Sequence, residues 1–372
     1  MKIRITNGMF VAILVNMVYA KAIGVTQGMV AREIGQDMWL ATTLATLQGV
    51  GMIYLSYVVL KKTPQMDFVE LANAAFGRWF GMFVTLALIV FFFGAFGTVM
   101  LTFVYHLRDY FLPEMPLFAF VLAALGIGWF AAYHGLEVMG RMAFGGVFFI
   151  LLLNALILIG SYMEIDLDNL RPVMESGLPK ILWASRHSDT DWAMATMVAG
   201  MIQPMVKNPE VRGRSGMAGI ALGGVMVAMW PLLEAGVLSA EVTQEYFVSC
   251  MKLARNAHIG HFIQRYEMIM VACFSVSSIL QITMCLFTAS IAASKAVGLK
   301  DYRPMLIPIG LALGAFAYWA LRDHMRALEL MEMWPYLALP IAIGLPALLL
   351  VARLLAKKRV RKAAEAAPPS SS

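Results

Sequence analysis

Lys21 is the residue whose position most demands a chemical reason. It lies inside the apolar run Met9 to Val30, near the middle of a membrane-length segment, and Gly24 follows three residues later. An ammonium at the centre of a bilayer costs about 2.5–3.5 kcal/mol on insertion scales, so such a charge persists where it faces a polar cavity or a partner inside a bundle. A charged first helix interrupted by glycine therefore points to a substrate or ion site. A second interrupted run reads Gly200-Met201-Ile202-Gln203-Pro204. Glycine weakens a helix, and proline removes a backbone donor. Interrupted helices in matching positions of two halves mark a midplane binding site. Each alone is also what a packing glycine or a proline kink produces; together with Lys21 they point to a site.

Other residues carry weaker signals. Ser278, Gln281, Cys285 and Thr288 recur at steps of three and four, hence on one helical face. In lipid that face turns inward, either as the wall of a pathway or to make interhelical hydrogen bonds. Met194, Met197, Met201 and Met205 form a methionine line that suits an apolar ligand side chain or plain packing. Gly219-x-x-x-Gly223 is expected to pack closely within the same chain. Arg265 and Glu267, two apart, do not share a helix face and are candidates for a gate or a subunit contact. His258-x-x-His261 has a helical metal spacing, but nothing adjacent completes a site, so no metal or cofactor is expected. His-Glu-x-x-His, a phosphate-cradling glycine loop and a nucleophile with an obvious base are missing, which argues against an enzyme.

The elements that must position these residues are membrane helices. The chain is 60% hydrophobic and only 14% charged, against about 25% charged in soluble domains. Its apolar residues fall in blocks of about 20, the pattern of an all-α polytopic membrane protein. Ten transmembrane helices are predicted, at 9–30, 38–60, 80–105, 116–134, 142–163, 191–206, 215–237, 263–294, 304–321 and 334–356. An amphipathic surface helix is expected over 239–256. The first span reads as uncleaved, since its apolar character continues well past Val18-Tyr19-Ala20. Three cysteines without paired spacing argue against a disulfide framework. Lysines and arginines outnumber those of the opposite side 18 to 10 on the connectors sharing the N-terminal side, which places both termini in the cytoplasm. The net charge of +6 follows these connectors, so nucleic acid is not an expected partner.

Ten spans divide five plus five, and an odd number inverts the second half relative to the first. The expected organisation is a first five-helix repeat over 1–163 and an extracytoplasmic loop over 164–190. A second repeat follows over 191–356, then a basic disordered tail over 357–372. The loop carries acidic residues, with Asp189 and Asp191 at its end.

Short stretches along nearly the whole chain then form a recognisable series. They are Gly35-Gln36-Asp37-Met38-Trp39, Phe68-Val69-Glu70 with Phe76-Gly77-Arg78-Trp79-Phe80-Gly81, and Gly135-Leu136-Glu137-Val138-Met139-Gly140-Arg141. Asn169 to Gly177, Gln264-Arg265-Tyr266-Glu267 and Leu299-Lys300-Asp301-Tyr302-Arg303-Pro304 complete it. In this order and on these connectors, the chain resembles the B-subunit family of spore germination nutrient receptors, the endospore germination permeases. That family belongs to the amino acid–polyamine–organocation superfamily. The resemblance implies a five-plus-five inverted repeat of the leucine-transporter type with broken helices 1 and 6. It implies a spore inner-membrane receptor subunit that senses a small nutrient, typically an amino acid, together with an A subunit and a lipoprotein C subunit. The ligand would sit at Ile23, Gly24, Val25 and Thr26 and at Ala199, Gly200 and Met201.

Broken helix ends suit an amino acid. Unpaired N–H groups attract a carboxylate, and freed carbonyls receive an ammonium or a cation. Lys21, with Ser278 and Gln281, is then a candidate ion site or cation surrogate. Pairing with a ligand carboxylate, or a structural partner for Lys21, are the open alternatives. Two rival functions are a transporter of amino acids or organic cations with net flux, and a scaffold that no longer binds ligand.

Overall fold

The computed structural model describes residues 5–259, 263–264 and 266–366. Fifteen α-helices run through them: α1 (Asn7–Ile23), α2 (Val25–Ile34), α3 (Met38–Leu60), α4 (Phe68–Phe76), α5 (Arg78–Arg108), α6 (Leu117–His134), α7 (Leu136–Ser161), α8 (Leu178–Ile202), α9 (Arg212–Leu233), α10 (Ala240–Glu245), α11 (Ser249–Asn256), α12 (Glu267–Val297), α13 (Arg303–Leu321), α14 (His324–Leu355) and α15 (Lys357–Ala366). Apart from them, His258–Ile259 pairs antiparallel with Ile263–Gln264. Eight segments among the described residues are long and apolar enough to cross a membrane, and α1 is a shorter apolar helix. α8 is not among the eight, because Arg186, Asp189 and Asp191 punctuate it.

The core is built on stretches of two helices that have no wet or lipid-facing side. Every residue of α1 from Ala12 to Ile23 is buried, and so is every residue of α8 from His187 to Ile202. A helix surrounded by protein needs no apolar stripe, and neither stretch shows one. The outer helices are one-sided instead: Leu122, Phe148 and Leu311 project outward as a lipid-facing surface requires. α9 lies close along α1, and a Cβ on Gly219 would stand 2.9 Å from Leu14 Cβ, so the Gly219/Gly223 face packs within the chain.

The chain start and the end of α8 share one face, where the Ile5 N–H donates to the Met205 carbonyl at 2.9 Å. α4 lies there too, with its first turn closed by a capping box of Asp67 and Glu70. The end of α2, the start of α8 and the pair α10–α11 lie at the opposite face.

Several boundaries differ from expectation. α8 begins at Leu178, so much of the supposed loop over 164–190 is helix, and Asp189 and Asp191 are buried within it. The rule that apolar residues mark a span failed there, because the polar residues of this helix have internal partners. Nor is α8 broken at Gly200: it runs continuously to Ile202, and Pro204 sits in a 3-10 turn beyond its end. The surface helix over 239–256 is two helices separated by Tyr246–Val248. Residues 357–366, expected as disordered tail, form α15. Val360 is buried there, and Gln65 donates to the Ala364 carbonyl at 2.6 Å.

Candidate functional site

α1 stops at Ile23 and α2 starts at Val25, with Gly24 between them at φ −83°, ψ −105°. Two local features go with the interruption. A side chain at residue 24 has no room, because its Cβ would stand 2.4 Å from the Thr102 methyl and 3.0 Å from the His106 ring on α5. The carbonyls released at the end of α1 also have replacement donors. Lys21 O accepts from the Gly24 N–H at 3.1 Å and lies 3.4 Å from the Thr26 hydroxyl; Ala22 O accepts from the Gln27 amide at 2.9 Å. Buried carbonyls without partners would be costly, so these side chains stabilise the interrupted geometry.

The interruption carries two opposite charges. Lys21, in the last turn of α1, points its ammonium at Asp191 of α8, with Nζ to Oδ1 at 2.7 Å and both side chains almost fully buried. Thr190 Oγ1 lies 3.2 Å from the same ammonium. The other carboxylate oxygen of Asp191 accepts from the Thr26 hydroxyl at 3.2 Å. An ammonium is favoured at the C-terminal end of a helix and a carboxylate near an N-terminal end, so the dipoles of α1 and α2 both favour this arrangement. Asp191 follows the polar stretch Ser185 to Thr190, so no local signal in the sequence marked it as the buried partner of Lys21.

The structure brings some of the expected site residues together and separates others. Ile23, Gly24, Val25, Thr26 and Lys21 are contiguous and buried at the interruption. Ala199, Gly200 and Met201 are buried too, but nine helical residues separate Asp191 from Gly200, about 13 Å along α8. Gly200 faces the Phe68 ring of α4, and a Cβ there would stand 2.1 Å from it. Gln281 donates to the carbonyls of Asn16 and Met17 at 3.0 and 2.8 Å, stitching α12 to α1, while Ser278 donates to Phe274 O within its own helix. Neither touches Lys21. Sequence reasoning missed Ser277, which donates to Asn16 Oδ1 at 2.7 Å; Asn16 in turn donates to Ala143 O of α7. Glu267 is buried and lies 3.9 Å from Arg255. Arg265 and His261 lie outside the described residues. Met194, Met197 and Met201 are packed in the core, with Met194 Sδ 3.9 Å from Cys285 Sγ.

Cavities approach this core from both faces. On the α2 side, a cavity of about 460 Å3 is lined by Met29, Arg32, Glu33, Arg186, His187 and Tyr336, among others. Glu33 of α2 accepts there from Arg186 at 2.5 and 2.7 Å and meets His187 Nε2 at 2.9 Å, so a second charged cluster joins α2 to α8 one turn from Asp191. The Arg186 guanidinium also lies 4.6 Å from the Trp183 ring. On the opposite, N-terminal face, a cavity of about 400 Å3 is lined by Asp67, Glu70, Lys295, Met201, Phe287 and Tyr302, among others. Lys295 of α12 pairs with both Asp67 and Glu70 across its mouth. Burial pushes the Asp67 carboxyl above its ordinary range, with Lys295 pulling the other way.

Comparison with known proteins agrees with this architecture. A family model described as "Spore germination protein" matches residues 4–325. Spore germination protein KB of Bacillus subtilis (strain 168) is 21% identical over 345 residues, covering 88% of this chain and 89% of the relative. Spore germination protein YndE of the same organism is 23% identical over 358 residues, covering 94% and 96%. Among solved structures, the nucleobase-cation-symport-1 family transporter Mhp1 with bromovinylhydantoin bound superposes with a TM-score of 0.69 at 11% identity. That match covers 96% of this chain and 80% of Mhp1. MhsT in complex with L-phenylalanine gives 0.68 at 12% identity, covering 98% and 92%. The fold is thus that of leucine-transporter-type membrane transporters.

Proposed function

This chain belongs to the spore germination protein family, and from that premise we propose that it is the nutrient-sensing membrane subunit of a germination receptor. It binds a small nutrient, an amino acid by preference, at the interruption between α1 and α2, against α8. The observation that carries this reading is the Gly24 interruption itself, where backbone ends and two charges meet in the buried core. The ten-segment, five-plus-five inverted organisation with both termini cytoplasmic belongs to the same reading. It makes the Lys295 face the cytoplasmic side and the Glu33 face the outer one. The subunit would work with an A subunit and a lipoprotein C subunit in the spore inner membrane, and ligand binding would trigger ion release. Glu267, 3.9 Å from Arg255 of α11, is together with Arg265 the proposed gate or subunit contact. Ala199–Met201 lies on the cytoplasmic side of the pocket, and Gln281 holds α12 against α1 beside it, with Ser278 one turn earlier on α12.

A second reading, a permease with net flux, is favoured by one observation: charged cavities approach the core from both faces, as a through-route would need. A germination screen of defined nutrients, in a strain lacking competing receptors, tests the first. Gly24→Phe should abolish the response while the protein stays in the membrane; an undiminished response would remove the interruption from ligand binding. Uptake of the active nutrient by vesicles holding this chain alone would favour the permease.

A further inference from the structure

The charged groups and released carbonyls that this interruption would offer a zwitterion are already engaged by the chain itself. An incoming ammonium would seek the released carbonyls and any carboxylate nearby; the Lys21 ammonium stands there, with Asp191 as its partner. An incoming carboxylate would seek Lys21 beside the start of α2; the Asp191 carboxylate stands there, accepting from Lys21 and from the Thr26 hydroxyl. The released carbonyls of Lys21 and Ala22 are also engaged, by Gly24 N–H and by Gln27. The chain thus holds in place an ammonium and a carboxylate of its own, 2.7 Å apart.

We propose that the Lys21–Asp191 pair is a built-in occupant of the ligand site, and that the nutrient is a zwitterion which opens the pair. The ligand carboxylate takes Lys21 and the ligand ammonium takes Asp191. This rests on the reading that a nutrient binds at the interruption. The exchange is neutral: one ion pair becomes two, and no net charge enters a buried, low-dielectric site. A singly charged ligand pairs with one partner and strands the other, which is costly for a buried ion. An uncharged ligand strands both. Selection for a zwitterion therefore follows from the pair itself. The outer cavity supplies the approach, since His187 lines it and lies one helical turn from Asp191. Opening the pair uncouples α1 from α8, which links ligand binding to movement of α2 against the bundle.

The test uses the full chain in lipid nanodiscs. Binding is measured by titration calorimetry for the twenty L-amino acids, and for those that bind, for the matching 2-hydroxy acids and decarboxylated amines. The wild-type chain should bind at least one amino acid at least tenfold more tightly than either analogue. Asp191→Asn should lose the amino acid at least tenfold and gain affinity for the 2-hydroxy acid, because Lys21 is freed. Lys21→Met should show the mirror preference, for the amine. Since either single change can unfold the chain, the neutral double variant Lys21→Met/Asp191→Asn is measured alongside and should lose preference among all three ligand types. Wild-type affinity and selectivity in the folded double variant would overturn the proposal while leaving ligand sensing intact. A wild-type chain that binds no amino acid would remove both.

Discussion

Gly24 and Gly200 both sit in buried helices beside a neighbour that leaves no room for a side chain, yet only one of them interrupts its helix. At Gly24 the backbone turns away, and Thr26 and Gln27 supply donors for the carbonyls it releases. At Gly200 the helix continues to Ile202, and the missing side chain is filled by the Phe68 ring. Glycine in a membrane helix therefore has two uses: one admits a close neighbour, the other allows a break. What separates them is whether nearby side chains can satisfy the released backbone, since lipid offers no water to do so.

The contrast can be broken by substitution. Asp191→Asn should have the largest effect, about 3–5 kcal/mol of destabilisation, because it leaves the Lys21 ammonium buried and unpaired. Denaturant unfolding in detergent would measure it, and Lys21→Met in the same chain should recover a substantial part. Gly200→Leu should cost up to about 3 kcal/mol by overpacking against Phe68, and Phe68→Ala should partly relieve it if ring contact is the cause. Gly24→Ala should cost about 1–3 kcal/mol through the Thr102 methyl, with relief from Thr102→Ser, which removes that methyl. Thermal melts of the single and double variants test both glycines; equal relief by the two partner changes for either glycine would erase the contrast. The smallest effect belongs to Thr26→Val, about 1 kcal/mol, from the lost hydroxyl contacts to Asp191 and Lys21 O.

A similar contrast holds between the charged clusters. The Lys21–Asp191 pair is almost fully buried and lines neither cavity, whereas Glu33–Arg186 and Lys295–Glu70 line cavities and are partly exposed. Breaking these half-buried pairs with Glu33→Gln or Glu70→Gln should cost less than Asp191→Asn, about 1–2 kcal/mol, with the two-bonded Glu33–Arg186 pair at the upper end, measured in the same melts.

Most of the helical frame was legible from residue order alone. α3 covers 38–60 as expected, and α6, α13 and the break after Ile23 fall within a residue or two of their predicted places. Apolarity over 20 residues and the weakness of a helix at glycine are local properties, so a linear reading reaches them. The start of α8 was not legible, because Asp189 and Asp191 read as loop acids until their partners are known. Asp191 is answered by Lys21, 170 residues away, and Ser185 lies 3.4 Å from Asp189 on the same helix. The choice between a break and a packed glycine was equally out of reach, since it depends on Thr102 and Phe68, which only the folded bundle brings near. Local composition determined which segments are helices; the pairing of buried charges and the filling of glycine notches were decided by tertiary structure, because both depend on neighbours distant in the chain.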